Sequence, residues 1–180
     1  MSTLVAGKLR VFAVAGTAAL GIDQFAKAWF FAQPPSVPGS PVLALFGENL
    51  SVMPRQSSEF AFGLLKDWPP AGQDAFLVLV ALIFAGLVVS IYRGLGSGEH
   101  MNAFALGLLA GGGLGNLADW WFRGAGMAFF RLGGGPEGSA LFFSPADGFV
   151  LLGLVLLGAE LLVAEGAARA KTHAPIETED

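Results

Sequence analysis

The sequence predicts an all-α integral membrane protein: a four-transmembrane-helix bundle with a small extracytoplasmic β-rich cradle after the first helix. Three observations predict it. Hydrophobic residues make up 54 % of the 180 and charged residues only 13 %, with a mean hydropathy of +0.63. That is the composition of a chain solvated by lipid rather than water. Four stretches approach the roughly 20 apolar residues that cross about 30 Å of hydrocarbon. They are continuously apolar, whereas the strands of a membrane barrel would alternate.

The four spans are expected at about residues 9–31, 75–92, 101–122 and 146–164. The first begins like a secretion signal, with Lys8 and Arg10 ahead of an Ala-rich run. It continues past Asp23 and Lys27 through Trp29, Phe30 and Phe31 without a clear cleavage site, so it is read as a retained helix. An even number of spans puts both termini on one side. Lys8, Arg10, Arg93, Arg169 and Lys171 fall on that side, and Arg55, Lys66, Arg123 and Arg131 on the other. The denser basic side is the expected cytoplasmic one, with the opposite orientation as the alternative. Residues 1–166 form a single membrane domain on this reading, followed by a polar cytoplasmic tail over 167–180.

Two loops, 32–74 and 123–145, then lie on the outer face. The first opens with Pro34, Pro35, Pro38 and Pro41, and carries two short apolar runs, Val42 to Phe46 and Phe60 to Leu65. Short apolar runs bounded by turn residues predict a small sheet on the membrane surface. The second loop holds Gly133-Gly134-Gly135-Pro136, a turn signal. Trp120, Trp121 and Phe122, at the end of the third span, suit an interfacial aromatic belt.

Composition excludes several chemistries. There are no cysteines, hence no disulfide, thiolate nucleophile or thiolate metal site. Only two histidines occur, His100 and His173, so neither a histidine triad nor a multi-histidine metal site is expected. No basic patch suggests nucleic acid, and no cofactor is implied. Gly111 to Gly115 has the look of a phosphate loop, but it lies within a span and lacks the following Lys-Ser or Lys-Thr; close helix packing is the better reading. Glu160 and Glu165, near the inner end of the fourth span, read as structural.

Carboxylates remain. An ionisable residue inside a span costs about 2.5–3.5 kcal/mol on insertion scales and usually faces the bundle interior. Asp23, Asp119 and Asp147 are such residues. Asp119 closes the third span and Asp147 opens the fourth, so a single loop brings them to one face. Asp23 lies about 21 Å into the first span at 1.5 Å per residue, and that span runs parallel to the third. All three therefore fall in the outer half of the bilayer. Two carboxylates at one depth suggest a dyad sharing a proton, one activating water while the other protonates the carbonyl or the leaving amine. The alternative is that Asp147 only caps the fourth helix. Asp23 and Lys27, four residues apart on one helical face, form either a structural ion pair or a charged rim that orients the dyad.

Four segments resemble one family, the bacterial lipoprotein signal peptidases (signal peptidase II). Asp23-Gln24-Phe25-Ala26-Lys27 resembles its D-x-x-x-K motif, and Phe60-Ala61-Phe62-Gly63 the end of its N-x-G-A-A-F-G loop. Gly112 to Asp119 resembles G-G-x-x-G-N-x-x-D-R, and Phe143-Ser144-Pro145-Ala146-Asp147 resembles F-N-x-A-D. Their order and spacing agree over nearly the whole chain up to the tail. The resemblance implies an intramembrane aspartic endopeptidase of the bacterial inner membrane, with cytoplasmic termini and an active site near the outer face. It would remove signal peptides from prolipoproteins just before the diacylglyceryl-modified cysteine. Its partners would be that lipidated peptide and membrane lipid, its working form a monomer, and its inhibitors cyclic peptides of the globomycin type. Asp119 and Asp147 would be the catalytic pair, Asn116 would hydrogen-bond in the site, Asp23 and Lys27 would support it, and the loop with Phe62 and Gly63 would cradle substrate.

The chain departs from the family pattern at defined places. The Arg after the third-motif Asp is Trp120, the Asn and Gly of the outer-loop motif align with Ser57 and Glu59, and the fourth-motif Asn is Ser144. Arg123, one turn beyond Asp119, is the candidate replacement for the lost Arg, with Arg55 as an alternative. Two other functions compete: a divergent relative that binds lipidated or membrane peptides without cutting them, and a small ion-coupled transporter subunit using Asp23 and Lys27.

Overall fold

A computed structural model describes residues 2–33, 41–46, 49–57, 68–133 and 140–172. Four helices dominate it: α1 (Ser2–Phe31), α2 (Pro70–Gly94), α3 (His100–Arg123) and α4 (Pro145–Thr172). All four are long and apolar enough to cross a membrane. Each extends beyond the apolar stretch read from the sequence. Pro70 opens α2 after Pro69, where the missing N–H removes no helical bond. Gly124 ends α3 in the left-handed region at φ 69°. α4 runs on to Thr172, so the tail expected from residue 167 starts as helix; residues 173–180 lie outside the described part.

α3 is the centre of the bundle. Half of its apolar window is buried, against 17 %, 6 % and 11 % for α1, α2 and α4. Small residues let its neighbours approach. A Cβ on Gly107 would lie 2.5 Å from the Phe12 carbonyl oxygen of α1, and one on Gly112 would lie 2.5 Å from the Ala146 carbonyl oxygen of α4. The Gly-rich run is thus a packing surface. The opposite faces stay uncovered: Leu151, Leu161, Leu162 and Val163 are all more than 60 % exposed. Such a surface is stable only against hydrocarbon.

Lys8 joins α1 to α2 at the terminal end of the bundle. Its buried ammonium donates to the Tyr92 and Leu95 carbonyl oxygens at 3.2 and 2.8 Å, satisfying acceptors freed at the end of α2.

At the other end lies one antiparallel sheet of four strands in chain order: β1 (Leu43–Phe46), β2 (Leu50–Ser57), β3 (Gly126–Leu132) and β4 (Leu141–Phe143). The predicted cradle is present, but both loops build it. β1 matches the first apolar run; the run Phe60 to Leu65 lies outside the described residues. β2 escapes a propensity reading because Leu50–Ser57 contains Pro54 and Arg55. Pro54 cannot donate to a ladder and falls where the β2–β3 register shifts, between Val52 and Arg55. Phe129 of β3 is fully buried and packs on Phe30 of α1 at 4.6 Å, which pins the sheet to the bundle.

Candidate functional site

The three acids converge where α1, α3 and α4 meet beneath the sheet. On α1, Asp23, Gln24 and Lys27 share the face toward α3. On α3, Asn116, Asp119 and Arg123 repeat at helical spacing along one face. At the start of α4, Ser144 precedes Pro145 and Asp147 lies in the first turn. Gly115 makes the approach possible: a Cβ there would sit 2.7 Å from Asp23 Oδ2.

Lys27 is the hub. Its Nζ, fully buried, donates to Asp23 Oδ2 at 2.7 Å and Asp119 Oδ2 at 2.5 Å, with Asn116 Oδ1 at 3.4 Å. Asp23 Oδ1 accepts the backbone N–H of Ala146 at 2.8 Å, so a carboxylate from α1 caps α4. Arg123 donates from Nη1 to Asp119 Oδ1 at 2.6 Å and to Gln24 Oε1 at 2.8 Å. Two carboxylates and two cations therefore form a closed cluster, which is how buried charge is tolerated in a membrane.

Asp147 has a different setting. It is exposed and its donors are neutral: Asn116 Nδ2 at 2.7 Å, and the Ser144 backbone N–H at 2.8 Å and hydroxyl at 3.1 Å. The contact with the Ser144 N–H is half of a capping box, so the helix-capping role considered for Asp147 is realised. Asp119 and Asp147 are linked through Asn116 and Lys27, rather than by a shared hydrogen bond.

The remaining candidates are placed as follows. Ser144, buried, donates to the Asp147 carboxylate from its backbone N–H and its hydroxyl. Ser57 ends β2 opposite Gly126, and Arg55 stacks its guanidinium on Phe142 at 4.8 Å, away from the acids. Phe62, Gly63 and Glu59 lie outside the described residues. Trp121 and Phe122 are 64 % and 81 % exposed, as an interfacial belt requires. Trp120 is half-buried. It lines a cavity of about 380 Å³ between α2 and α3, together with Phe76, Leu77, Val80, Phe84, Gly113, Asn116 and Leu117. A residue directly after Asp119 is rotated about 100° around the helix, toward α2, whereas a residue four later returns to the Asp119 face. Geometry thus puts Arg123, not Arg55, beside Asp119.

Gln24 escaped the sequence reading. Its Nε2 lies 3.1 Å from Asp23 Oδ2, 3.1 Å from the Gly115 carbonyl oxygen and 3.3 Å from Asp119 Oδ1. The available signal was an amide beside an acid inside an apolar span, a costly group unless partnered. Among the described residues no group of three His, Cys, Asp or Glu is arranged to hold a metal ion.

The family description "Signal peptidase (SPase) II" matches residues 16–163, most of the chain and every element of this site. The chain belongs to the signal peptidase II family. Among curated relatives of this family member, the lipoprotein signal peptidase of Syntrophomonas wolfei is 32 % identical over 136 residues, covering 76 % of this chain and 82 % of the relative. That of Methylorubrum extorquens is 32 % identical over 143 residues, covering 79 % and 80 %. The Aquifex aeolicus protein is 35 % identical over 97 residues, 54 % of this chain and 56 % of its own length. A solved bacterial membrane enzyme, determined by the in meso method at 2.3 Å, superposes with a TM-score of 0.67 over 94 % of this chain and 93 % of that one. At 20 % identity it speaks for the fold alone. Membership of the signal peptidase II family, with four membrane-spanning helices, supports a multi-pass inner-membrane protease that removes signal peptides from lipoproteins.

Proposed function

We propose that the chain is an intramembrane aspartic endopeptidase that cuts prolipoproteins just before the diacylglyceryl-modified cysteine, with Asp119 and Asp147 as its catalytic pair. One observation carries the reading: the two aspartates reach the same end of the bundle, and Asn116 bridges them. It donates to Asp147 at 2.7 Å and accepts from the lysine that holds Asp119. One carboxylate takes a proton from water as the oxygen attacks the peptide carbonyl. The other delivers a proton to the nitrogen as the C–N bond breaks, each such transfer contributing about 10²–10⁴-fold. Asp23 and Lys27 fix the frame, Asn116 and Ser144 orient Asp147, and Arg123 balances Asp119. Ser57, Phe62 and Gly63 belong to a substrate cradle on the outer face. The termini are cytoplasmic, the working unit is a monomer in contact with membrane lipid, and globomycin-type peptides inhibit it.

A second reading, a relative that binds lipidated or membrane peptides without cutting, is favoured by a specific observation. Both oxygens of Asp119 are already engaged, by Lys27 on one side and by Arg123 and Gln24 on the other. The deciding experiment incubates purified protein in nanodiscs with a diacylglyceryl-modified prolipoprotein and follows product by mass. Cleavage by wild type, lost in both Asp119→Asn and Asp147→Asn, supports the peptidase and its pair. Binding without cleavage by well-folded wild type supports the second reading. Unimpaired cleavage by Asp119→Asn would remove that residue from the chemistry.

A further inference from the structure

We propose that Arg123 and Gln24 form an openable cover over one oxygen of Asp119, with Gln24 as the positioning residue that seats the guanidinium. The consequence for catalysis rests on the peptidase reading, because a covered carboxylate oxygen cannot exchange a proton with water or substrate. The cover itself rests on geometry alone.

The two oxygens of Asp119 are held by unequal partners. Oδ2 meets Lys27, a fully buried cation shared with Asp23. Withdrawing Lys27 would strand two acids in the bundle interior, so this side is fixed. Oδ1 meets Arg123, whose side chain is 31 % exposed and which engages Asp119 through a single nitrogen. Arg123 is the last residue of α3, directly before the left-handed Gly124. Helix ends open most readily, and a partly exposed pair at such an end is weakly held.

Gln24 stabilises the closed arrangement. Its Oε1 accepts from the same Arg123 nitrogen at 2.8 Å, while its Nε2 reaches Asp119 Oδ1 at 3.3 Å. The amide is anchored from behind by Gly115 and Asp23, each at 3.1 Å. The guanidinium thus sits in a seat made by two helices, α1 and α3. Among the described residues the other acid of this end, Asp147 of α4, is linked to the cluster through Asn116 and is also held by Ser144. When Arg123 swings outward, Asp119 Oδ1 keeps only the long 3.3 Å contact from Gln24, while Lys27 keeps the other oxygen in place.

The test is carboxylate labelling of the full-length protein in nanodiscs with a water-soluble carbodiimide and a primary amine, read residue by residue by peptide mass spectrometry. In wild type, Asp147 is expected to label and Asp119 to be protected. In Arg123→Gln, labelling at Asp119 is expected to rise about tenfold or more, as loss of one charge-assisted hydrogen bond implies, with Asp147 unchanged. Gln24→Leu is expected to give a smaller rise, and Arg123→Lys to stay near wild type. Equal labelling of Asp119 and Asp147 in wild type would overturn the proposal, as would continued protection of Asp119 in folded Arg123→Gln. If Arg123→Gln loses its thermal transition, folded Gln24→Leu decides, and no rise there overturns the cover. Labelling needs no turnover. A chain that labels as expected but never cleaves keeps the cover and loses the peptidase reading; one that cleaves with Asp119 open from the start loses only the cover.

Discussion

The Asp23 carboxylate of α1 accepts the backbone N–H of Ala146, in the first turn of α4, at 2.8 Å. One acid, 123 residues away in sequence, thereby holds the helix that presents Asp147 and, through Lys27, orients Asp119. Removing it with Asp23→Ala leaves a buried N–H and a buried ammonium each one partner short. The expected loss is about 3–5 kcal/mol, the range for breaking a buried ion pair from one side. Asp23→Asn, which retains an acceptor for Ala146, should lose less. Unfolding in bicelles measures both, and a loss below about 1 kcal/mol for the alanine variant would count against the cap, since that is the worth of an exposed pair.

The glycines of α3 give a second, sharper contrast. Gly115→Ala would place a methyl 2.7 Å from Asp23 Oδ2, and Gly111→Ala would press on the Gly16 carbonyl of α1. Each is expected to cost about 1–3 kcal/mol, as overpacking does. Gly86→Ala on α2 meets nothing within 4 Å and should be tolerated. Thermal stability of the three variants in one detergent checks the ranking. Equal behaviour would mean that α1 and α3 are not in close contact.

Asn116 is the bridge between the acids, and on the peptidase reading it is a rate-determining position. Asn116→Leu should lower kcat by about 10²-fold, the low end of acid–base assistance. Ser144→Ala removes only the hydroxyl at 3.1 Å and leaves the backbone N–H at 2.8 Å in place. Its effect should stay within about tenfold, the worth of one neutral hydrogen bond. Rates of signal-peptide release from a lipidated substrate separate the two, and a larger loss in Ser144→Ala than in Asn116→Leu would reverse their assigned importance.

Glu99, in the turn between α2 and α3, offers a pH-dependent readout away from the membrane interior. Hydrogen bonds from the Asn102 side chain and then the Gly96 N–H hold its carboxyl below the ordinary carboxylate range, against a small opposing effect of burial. A group depressed on folding stabilises the fold above its unfolded pKa, and that contribution disappears as pH falls through the lower folded value. Asn102→Ala should therefore raise the Glu99 titration midpoint and move this loss to higher pH. A carboxyl carbon NMR titration follows it directly; an unchanged midpoint would show that the Asn102 contact is not maintained.

The sequence by itself determined that the chain lives in a membrane, that it crosses it four times, and that Asp23, Asp119 and Asp147 gather at one end. These follow from length, hydropathy and helical rise, which are local and additive along the chain. The tertiary structure decided what those acids touch. Lys27 and Asp119 meet across 92 residues, Gln24 enters the cluster unannounced, and Arg123 reaches Asp119 where Trp120 turns away into the α2 cavity. β2 forms around Pro54 because β1 and β3 pair on either side of it. The acid cluster depends on how closely and at what rotation α1 and α4 settle on the glycines of α3. Rotation and contact distance are properties of packed pairs, and no single segment carries them.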